Sequence, residues 1–155
     1  MNYISTIKSL EREYNKKVTV KLKDLEGSFK DISNIEGNPV IYKVFIKKYS
    51  PINLGLTILN SGSVNREFYM TRGHVHKKQS PEFYILMEGK GILLIQKRSI
   101  IKKIVLEKGQ IALVPEDYAH RLINVGKEKL KALTIYDETS MPNYKVKFRK
   151  RFFKK

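Results

Sequence analysis

The residues of this chain with the clearest chemical potential are its three histidines, which fall in two short segments. His74 and His76 are two residues apart, and on a strand this spacing places both imidazoles on the same face. Glu82 follows after five intervening residues, so a strand–turn–strand path could bring its carboxylate beside both rings. His120 supplies the third imidazole. Three neutral nitrogens and one carboxylate suit Fe, Mn, Ni or Zn, and open positions on such an ion would serve substrate chemistry.

The spacing of the whole set distinguishes it from scattered polar residues. A lone histidine is more often a surface or satisfied core residue, and an isolated Glu82 would be a solvated carboxylate. Here the pattern His-X-His-X5-Glu-X6-Gly is followed by Gly-X5-Pro-X3-Ala-His-X3-Asn. The joint pattern predicts one metal site, whereas four further members are interpreted as turn residues without chemistry of their own: Gly89, Gly109, Pro115 and Asn124.

The segments that carry these side chains predict an all-β fold. From Val18 onward the apolar runs are short, rich in β-branched and aromatic residues, and separated by clusters of Gly, Pro, Asn and Ser. Turns are indicated at residues 60–63 and 89–91. The eleven predicted strands suit a jelly roll: Val18–Lys23, Pro39–Lys47, Leu54–Asn60, Arg66–Thr71, Glu82–Met87, Ile92–Lys97, Ile100–Leu106, Ile111–Val114, His120–Asn124, Leu130–Tyr136 and Val146–Phe153.

Ahead of the strands, Ile4, Ile7, Leu10 and Tyr14 fall on one face at helical spacing, which predicts a short amphipathic helix over Tyr3–Asn15. A chain of 155 residues with 41% hydrophobic residues has material for one core and little room for a second. No apolar stretch approaches the roughly 20 residues of a membrane-spanning helix, so we expect a cytoplasmic protein without membrane contact. Because the chain lacks cysteine, any metal ligands must be His and carboxylate.

The net charge of +16 is unevenly distributed, since 24 basic and 15 acidic residues leave only +9 before residue 145. We therefore divide the chain into a helical extension (1–17), a β domain (18–144) and a basic strand or tail (145–155). This end allows three interpretations: a solvated basic segment, attraction of a phosphorylated small molecule, or nucleic-acid binding, for which no motif is found. Its seven basic residues are Lys145, Lys147, Arg149, Lys150, Arg151, Lys154 and Lys155.

The two histidine segments resemble the two signature motifs of the cupin superfamily in order, spacing and ligand type. One departure is Asp117, where the general pattern favours Gly. Because Asp tolerates the left-handed turn conformation better than most residues, we expect the fold to be kept. The resemblance implies a single double-stranded β-helix, or jelly-roll, domain.

A narrower resemblance is to the archaeal, cupin-type phosphoglucose isomerases, and it covers roughly Val18 to Tyr144. It implies His74, His76, Glu82 and His120 as ligands of one divalent metal. The segments that carry the resemblance are Thr71–His76, Glu82–Tyr84, Val114–Pro115 and Ala119–Asn124, together with Asp24–Gly27, Pro39–Tyr42 and Asn53–Leu59 upstream.

The resemblance also implies which residues contact substrate. Glu82, Tyr136 and Tyr144 would be catalytic. One position departs from the family pattern: a His associated with opening the sugar ring is expected two residues before Tyr144, and this chain has Pro142 there. The implied substrate-binding residues are Tyr42, Thr57, Thr71, Gly73, Tyr84, Tyr136 and Tyr144.

The expected activity is metal-dependent interconversion of glucose 6-phosphate and fructose 6-phosphate, with Fe as the first candidate metal and Mn, Ni or Zn as alternatives. A homodimer is expected. Glu82 is the nearest candidate base, but a carboxylate that also sees the metal is a weak base, and a metal-assisted hydride shift stays open. Three other functions are considered: a cupin dioxygenase, a sugar-phosphate-binding protein without activity, and a nucleic-acid binder that uses the basic tail.

Overall fold

The computed structural model describes residues 8–155, which form two antiparallel sheets around one core. The larger sheet has the strand order β1-β2-β3-β12-β7-β10, and the smaller sheet has the order β11-β8-β9. Two short ribbons, β13-β6 and β4-β5, complete the fold. The strands are β1 Lys16–Lys21, β2 Val40–Tyr49, β3 Ile52–Leu59, β4 Ser63–Val64, β5 Glu67–Phe68, β6 Val75–His76, β7 Glu82–Glu88, β8 Lys90–Lys97, β9 Ile100–Glu107, β10 Ile111–Val114, β11 Ala119–Asn124, β12 Leu130–Asp137 and β13 Pro142–Asn143.

Isolated bridges extend the smaller sheet beyond its three strands. Met70 pairs with Ile123 and His74 pairs with His120, so the chain before β6 runs antiparallel beside β11. The β13-β6 ribbon continues from this segment. The smaller sheet and these additions face the larger sheet, and the histidine segments lie where the two layers meet.

Alternation along the strands separates two apolar clusters. On β12, Leu130 and Ala132 point into the core between the sheets, whereas Leu133 packs on the opposite face of the larger sheet. That outer cluster also contains Leu10, Phe45, Leu56 and Met87 as buried members. The larger sheet is therefore apolar on both faces. Its inner face packs against the smaller sheet, whereas part of its outer face is exposed.

The predicted N-terminal helix lies partly outside the described residues, which include neither Ile4 nor Ile7. Within residues 8–155, residues 8–10 are helical, and the chain then turns. The prediction of helix to residue 15 is wrong, because the Asn15 N–H already donates to the carbonyl of Ile46 in β2 (2.8 Å). No helix in this part of the chain is long and apolar enough to cross a membrane.

Two predicted strands are wrong in extent. Of the predicted strand Arg66–Thr71, only the two residues of β5 are in a strand. The predicted strand Val18–Lys23 ends at Lys21, because a 3₁₀ turn begins at Leu22. The prediction over Val146–Phe153 fails, because this segment has no strand and pairs only by an isolated bridge between Phe153 and Glu67.

Two turn predictions are confirmed by backbone conformation. Gly89 joins β7 to β8 with a φ of +84°, in the left-handed region that glycine adopts without steric cost. Asp117 has a φ of +67°, as expected for the residue that replaces Gly in the second cupin motif.

Candidate metal centre and substrate site

Four side chains converge where the two sheets meet, and their candidate ligand atoms all lie within 4.8 Å of one another. Glu82 opens β7 in the larger sheet, whereas His120 belongs to β11 in the smaller one. Glu82 Oε2 lies 2.8 Å from His120 Nε2, 3.2 Å from His76 Nε2 and 3.9 Å from His74 Nε2. The structure thus brings together all four predicted metal ligands.

Backbone hydrogen bonds explain how the two motifs meet. The His74 N–H donates to the His120 carbonyl (3.1 Å), and the His120 N–H donates to the His74 carbonyl (2.8 Å). This reciprocal pair fixes the two imidazoles side by side, with ring centroids 4.4 Å apart. His76 lies two residues further along β6, and its ring is 5.1 Å from that of His74.

Two of the imidazoles are oriented by backbone carbonyls on the side away from Glu82. His76 Nδ1 lies 3.0 Å from the Ser80 carbonyl, and His120 Nδ1 lies 3.1 Å from the Tyr118 carbonyl. Because a carbonyl only accepts, each Nδ1 carries a proton and donates it. Each Nε2 therefore points at Glu82, with which it shares a proton when no metal is bound, and its lone pair would hold the metal once that proton leaves.

The ionisation of the cluster fits a cation site. Burial, followed by the nearby charge of His120, lowers the pKa of His74 to about 3, so this imidazole is neutral at pH 7. For Glu82 burial acts to raise the pKa, but hydrogen bonds from His120 and His76 outweigh it and hold the pKa well below its ordinary value. Glu82 is therefore a carboxylate that shares protons with imidazole nitrogens, and one divalent ion could replace those protons.

Three predicted substrate-binding side chains lie on the inner face of the larger sheet, at increasing distance along the strands from this cluster. Tyr136 pairs directly with Glu82 across β12 and β7. One step further along, Tyr84 pairs with Thr134, and its ring lies 5.8 Å from that of His120. Thr57 is buried on β3, opposite Ala132.

Of two further predicted tyrosines, one lies at the rim and one is buried, and both lie near Arg72. Tyr144 is 51% exposed, and its ring centroid lies 5.9 Å from that of His74. Its other neighbour is the Arg72 guanidinium, 5.3 Å from the ring centroid. Tyr42 is buried, and its hydroxyl oxygen lies 3.4 Å from the Arg72 N–H.

Thr71 and Gly73 precede the first two histidines. Thr71 Oγ1 accepts from the Leu122 N–H (3.1 Å), which leaves the hydroxyl proton available to another acceptor. Gly73 has a φ of +77°, and a Cβ on it would stand 2.5 Å from the ring of Phe148 and 2.9 Å from the His120 carbonyl. Packing against Phe148 is thus a second reason for glycine, beyond the predicted close approach of a ligand.

Three further residues support the centre and were not found from the sequence. Ser80 provides the carbonyl that orients His76, and its hydroxyl contacts that of Ser140. Arg121 is buried and donates to the carbonyl of Arg72. Nothing in the local pattern distinguishes these side chains, because Ser140 and Arg121 act on distant parts of the chain and Ser80 orients His76 through its backbone carbonyl.

A family model described as glucose-6-phosphate isomerase matches residues 24–151 of this chain. The chain belongs to the glucose-6-phosphate isomerase family. It is 34% identical over 140 residues to glucose-6-phosphate isomerase of Pyrococcus abyssi, a match that covers 83% of this chain and 74% of that protein. The corresponding enzyme of Thermococcus litoralis is 35% identical over 143 residues, with 85% of this chain and 75% of that protein covered. The predicted family resemblance is confirmed.

The fold of this family member is also found in proteins of low sequence identity. A crystal structure of Lactobacillus farciminis oxalate decarboxylase with formate superposes with a TM-score of 0.55 at 19% identity. The match covers 63% of this chain and 29% of that chain, and it shows the fold alone. The predicted jelly roll of cupin type is confirmed.

Proposed function

We propose that this member of the glucose-6-phosphate isomerase family interconverts glucose 6-phosphate and fructose 6-phosphate with one divalent metal ion per chain. The observation that carries the proposal is the convergence of His74, His76, Glu82 and His120 at the end of the barrel. A set of three nitrogens and one carboxylate fits Fe, Mn, Ni or Zn. Of these we propose Fe first; a six-coordinate ion such as Fe, Mn or Ni would keep two positions open beside four protein ligands.

The reaction moves hydrogen between two adjacent carbons and develops negative charge on their oxygens. A bound divalent ion supplies Lewis-acid polarisation of these oxygens. Glu82 is the proposed base, since its carboxylate is the one closest to that position. Its lowered pKa makes it a weak base while it contacts His76 and His120, so we propose that substrate binding loosens these contacts.

Tyrosine hydroxyls are proposed to hold the sugar and to donate protons. Burial, together with the charge of Glu82, raises the pKa of Tyr136 to about 12, so its hydroxyl keeps its proton at neutral pH. Tyr144 lies beside His74 at the rim, where it can contact the substrate from the solvent side. We propose these two residues as the acid–base partners of Glu82.

The remaining predicted residues are proposed as contacts for the substrate's phosphate and hydroxyl groups. Thr57 and Thr71 have hydroxyl protons that an anionic oxygen could accept, and Arg72 adds positive charge at the rim. Tyr42 and Tyr84 close the inner wall. The substrate class proposed for this site is therefore a small sugar phosphate.

We further propose that the enzyme is a cytoplasmic homodimer that binds neither nucleic acid nor membranes. Support for a second copy as partner comes from the outer face of the larger sheet, where exposed apolar residues lie side by side on β7 and β10. Leu113 pairs with Phe83, and Ile111 pairs with Ile85. An apolar patch of this kind on neighbouring strands is typical of a protein–protein interface.

A coupled isomerase assay, with elemental analysis, tests the proposal. Full-length protein freed of metal by chelation should be inactive and regain glucose 6-phosphate isomerisation with Fe²⁺, Mn²⁺, Ni²⁺ or Zn²⁺. A His74→Ala/His120→Ala variant should lose the bound ion. Activity that persists in chelator, or an unchanged metal content in that variant, would show that the site is wrongly assigned. Oxygen consumption, or tight sugar-phosphate binding without turnover, would instead identify a dioxygenase or a sensor.

A further inference from the structure

The residues that follow β13 cross the outside of the barrel directly behind the metal centre, and we call residues 146–153 the C-terminal strap. Its first part is held by the side chain of Gln96 at the end of β8. The Gln96 amide donates to the Lys147 carbonyl (3.0 Å) and accepts from the Arg149 N–H (3.0 Å). These two bonds bracket Phe148, whose side chain is buried beneath the strap.

The far end of the strap is anchored by a buried carboxylate. Glu67 Oε1 accepts from the Arg151 guanidinium (2.8 Å), and Glu67 Oε2 accepts from the Lys30 N–H (2.7 Å). Arg151 also donates to the Ser28 carbonyl (3.0 Å). Since a buried charge is costly unless paired and hydrogen-bonded, Glu67 holds Arg151, and with it the strap, in one position.

Phe148 connects the strap to the first histidine motif. Its ring lies against the Cα of Gly73, where a Cβ would stand only 2.5 Å away. The guanidinium of Arg121 stacks on the same ring, 4.3 Å from the centroid. Arg121 in turn donates two hydrogen bonds to the Arg72 carbonyl, of 2.6 Å from Nη2 and 3.2 Å from Nε.

These contacts act on residues that immediately precede His74. On β11, His120 faces the barrel interior while its neighbour Arg121 faces outward, as strand alternation requires. Arg121 on the outward side of β11 and Phe148 of the strap, which stack on each other, therefore hold residues 72–73. The backbone of β11 holds His74 by the reciprocal bonds at 3.1 and 2.8 Å. Any displacement of residues 72–73 would move His74 relative to His120.

We propose that the C-terminal strap is a clamp that sets the position of His74 against His120, with Phe148 and Arg121 as positioning residues. The proposal rests on the metal-binding role proposed for these histidines. Partners that hydrogen-bond a ligating His typically contribute 10- to 100-fold to metal affinity, and we take this as the upper range for residues that position His74 through the backbone. The basic C-terminal end of the chain thereby contributes to the geometry of the metal centre.

The test measures Mn²⁺ affinity of the full-length protein by isothermal titration calorimetry. The dissociation constant should rise about 10- to 100-fold in Phe148→Ala and in Arg121→Met, which keeps length but removes the donors. Phe148→Leu and Arg121→Lys should retain part of the affinity. Phe153→Ala is the matched control, because this strap side chain is 44% exposed, and its affinity should stay within about twofold of wild type.

Hydrogen exchange at residues 72–76 provides a second measurement that needs no metal. The His74 amide should exchange faster in Phe148→Leu and Arg121→Met, but not in Leu106→Ala, which weakens the core of the smaller sheet away from the site. If wild type binds none of Fe²⁺, Mn²⁺, Ni²⁺ and Zn²⁺, the proposed function fails, and exchange alone decides on the clamp. Unchanged exchange and unchanged affinity in the folded Arg121→Met and Phe148→Leu variants would overturn it.

Discussion

At the scale of single residues, the chemistry depends on the surroundings of Glu82. Its position is defined by two imidazole Nε2 atoms, those of His120 and His76, at 2.8 and 3.2 Å. The same contacts that make it a good metal ligand lower its pKa and weaken it as a base. Replacement of this one carboxylate therefore separates proton transfer from substrate binding.

Glu82→Gln should lower turnover by about 10²- to 10⁴-fold while sugar-phosphate binding persists, because the amide can still face the metal but cannot accept a proton. The measurements are turnover in the coupled assay and exchange of the substrate C2 hydrogen with solvent. Near-wild-type exchange at C2 would eliminate Glu82 as the base. Simultaneous loss of binding and activity would indicate that the site has collapsed.

The metal-free protein should become less stable in acid because of His74. Burial lowers the pKa of His74 from 6.5 to about 3, so between these values the unfolded chain binds a proton that the folded chain does not. The folded protein therefore loses stability as the pH falls from about 6.5 toward 3. Thermal midpoints of wild type and His74→Gln, compared from pH 7 to pH 4, should diverge, with wild type the steeper. Parallel curves would contradict this origin.

At the scale of elements, the sequence predicts the long strands but not the short ribbons. Short apolar runs bounded by turn residues identify β2, β3, β7, β8 and β12, because each strand contributes side chains to a continuous core. The β13-β6 ribbon has two residues in each strand, too few for any periodicity. The strap, with Val146, Phe148 and Phe152 spaced like a strand, is instead fixed by the side chains of Gln96 and Glu67, which pattern alone cannot identify.

The site was more predictable than its supports for the same reason. The four candidate ligands are residue types that bind metals, and their spacing can be recognised in the sequence: His74, His76, Glu82 and His120. Arg121 matters because of what packs on it, and this depends on the distant strap. Supporting contacts of this kind depend on tertiary structure rather than local pattern.

Pro142, which stands where the family pattern has a histidine, lies in the β13-β6 ribbon. Pro142 is the register partner of His76, and the bond from the Lys77 N–H to the Met141 carbonyl (2.8 Å) makes them a non-hydrogen-bonded pair. Side chains in such pairs lie close together, and no N–H is required of residue 142. A histidine there would therefore stand beside His76, next to the proposed sugar site.

Pro142→His should raise turnover on the cyclic sugar by about tenfold or more, because general acid–base assistance to ring opening is typically worth 10² to 10⁴ in rate. The comparison requires equal metal loading of wild type and variant. Pro142→Ala is the control, since it removes the fixed φ angle without adding an acid–base group. Equal rates in all three proteins, or a wild-type turnover already above about 10³ s⁻¹, would show that no assistance is missing.

At the scale of the whole molecule, the two sheets differ in what covers their outer faces. On the outer face of the smaller sheet, Lys103 of β9 is exposed, and Phe148 of the strap stacks on Arg121 of β11. The larger sheet carries an outer apolar cluster around Phe45 and Leu56, which continues toward β10 as exposed residues. With a net charge of +16, copies of the chain repel one another, so association requires an apolar patch that outweighs this repulsion.

The exposed apolar residues on the outer face of the larger sheet predict that two copies of the chain associate through β10. Ile111 and Leu113 on β10 are 64% and 47% exposed, and burial of both against a second copy would remove this apolar area from water. Wild type should sediment at twice the chain mass of 18.1 kDa, whereas Leu113→Lys should sediment at 18.1 kDa because it places a charge in the interface. Val105→Lys is the matched control, since Val105 is 48% exposed on β9 and should leave the dimer intact. A monomeric wild type, or a dimeric Leu113→Lys, would place the association elsewhere or remove it.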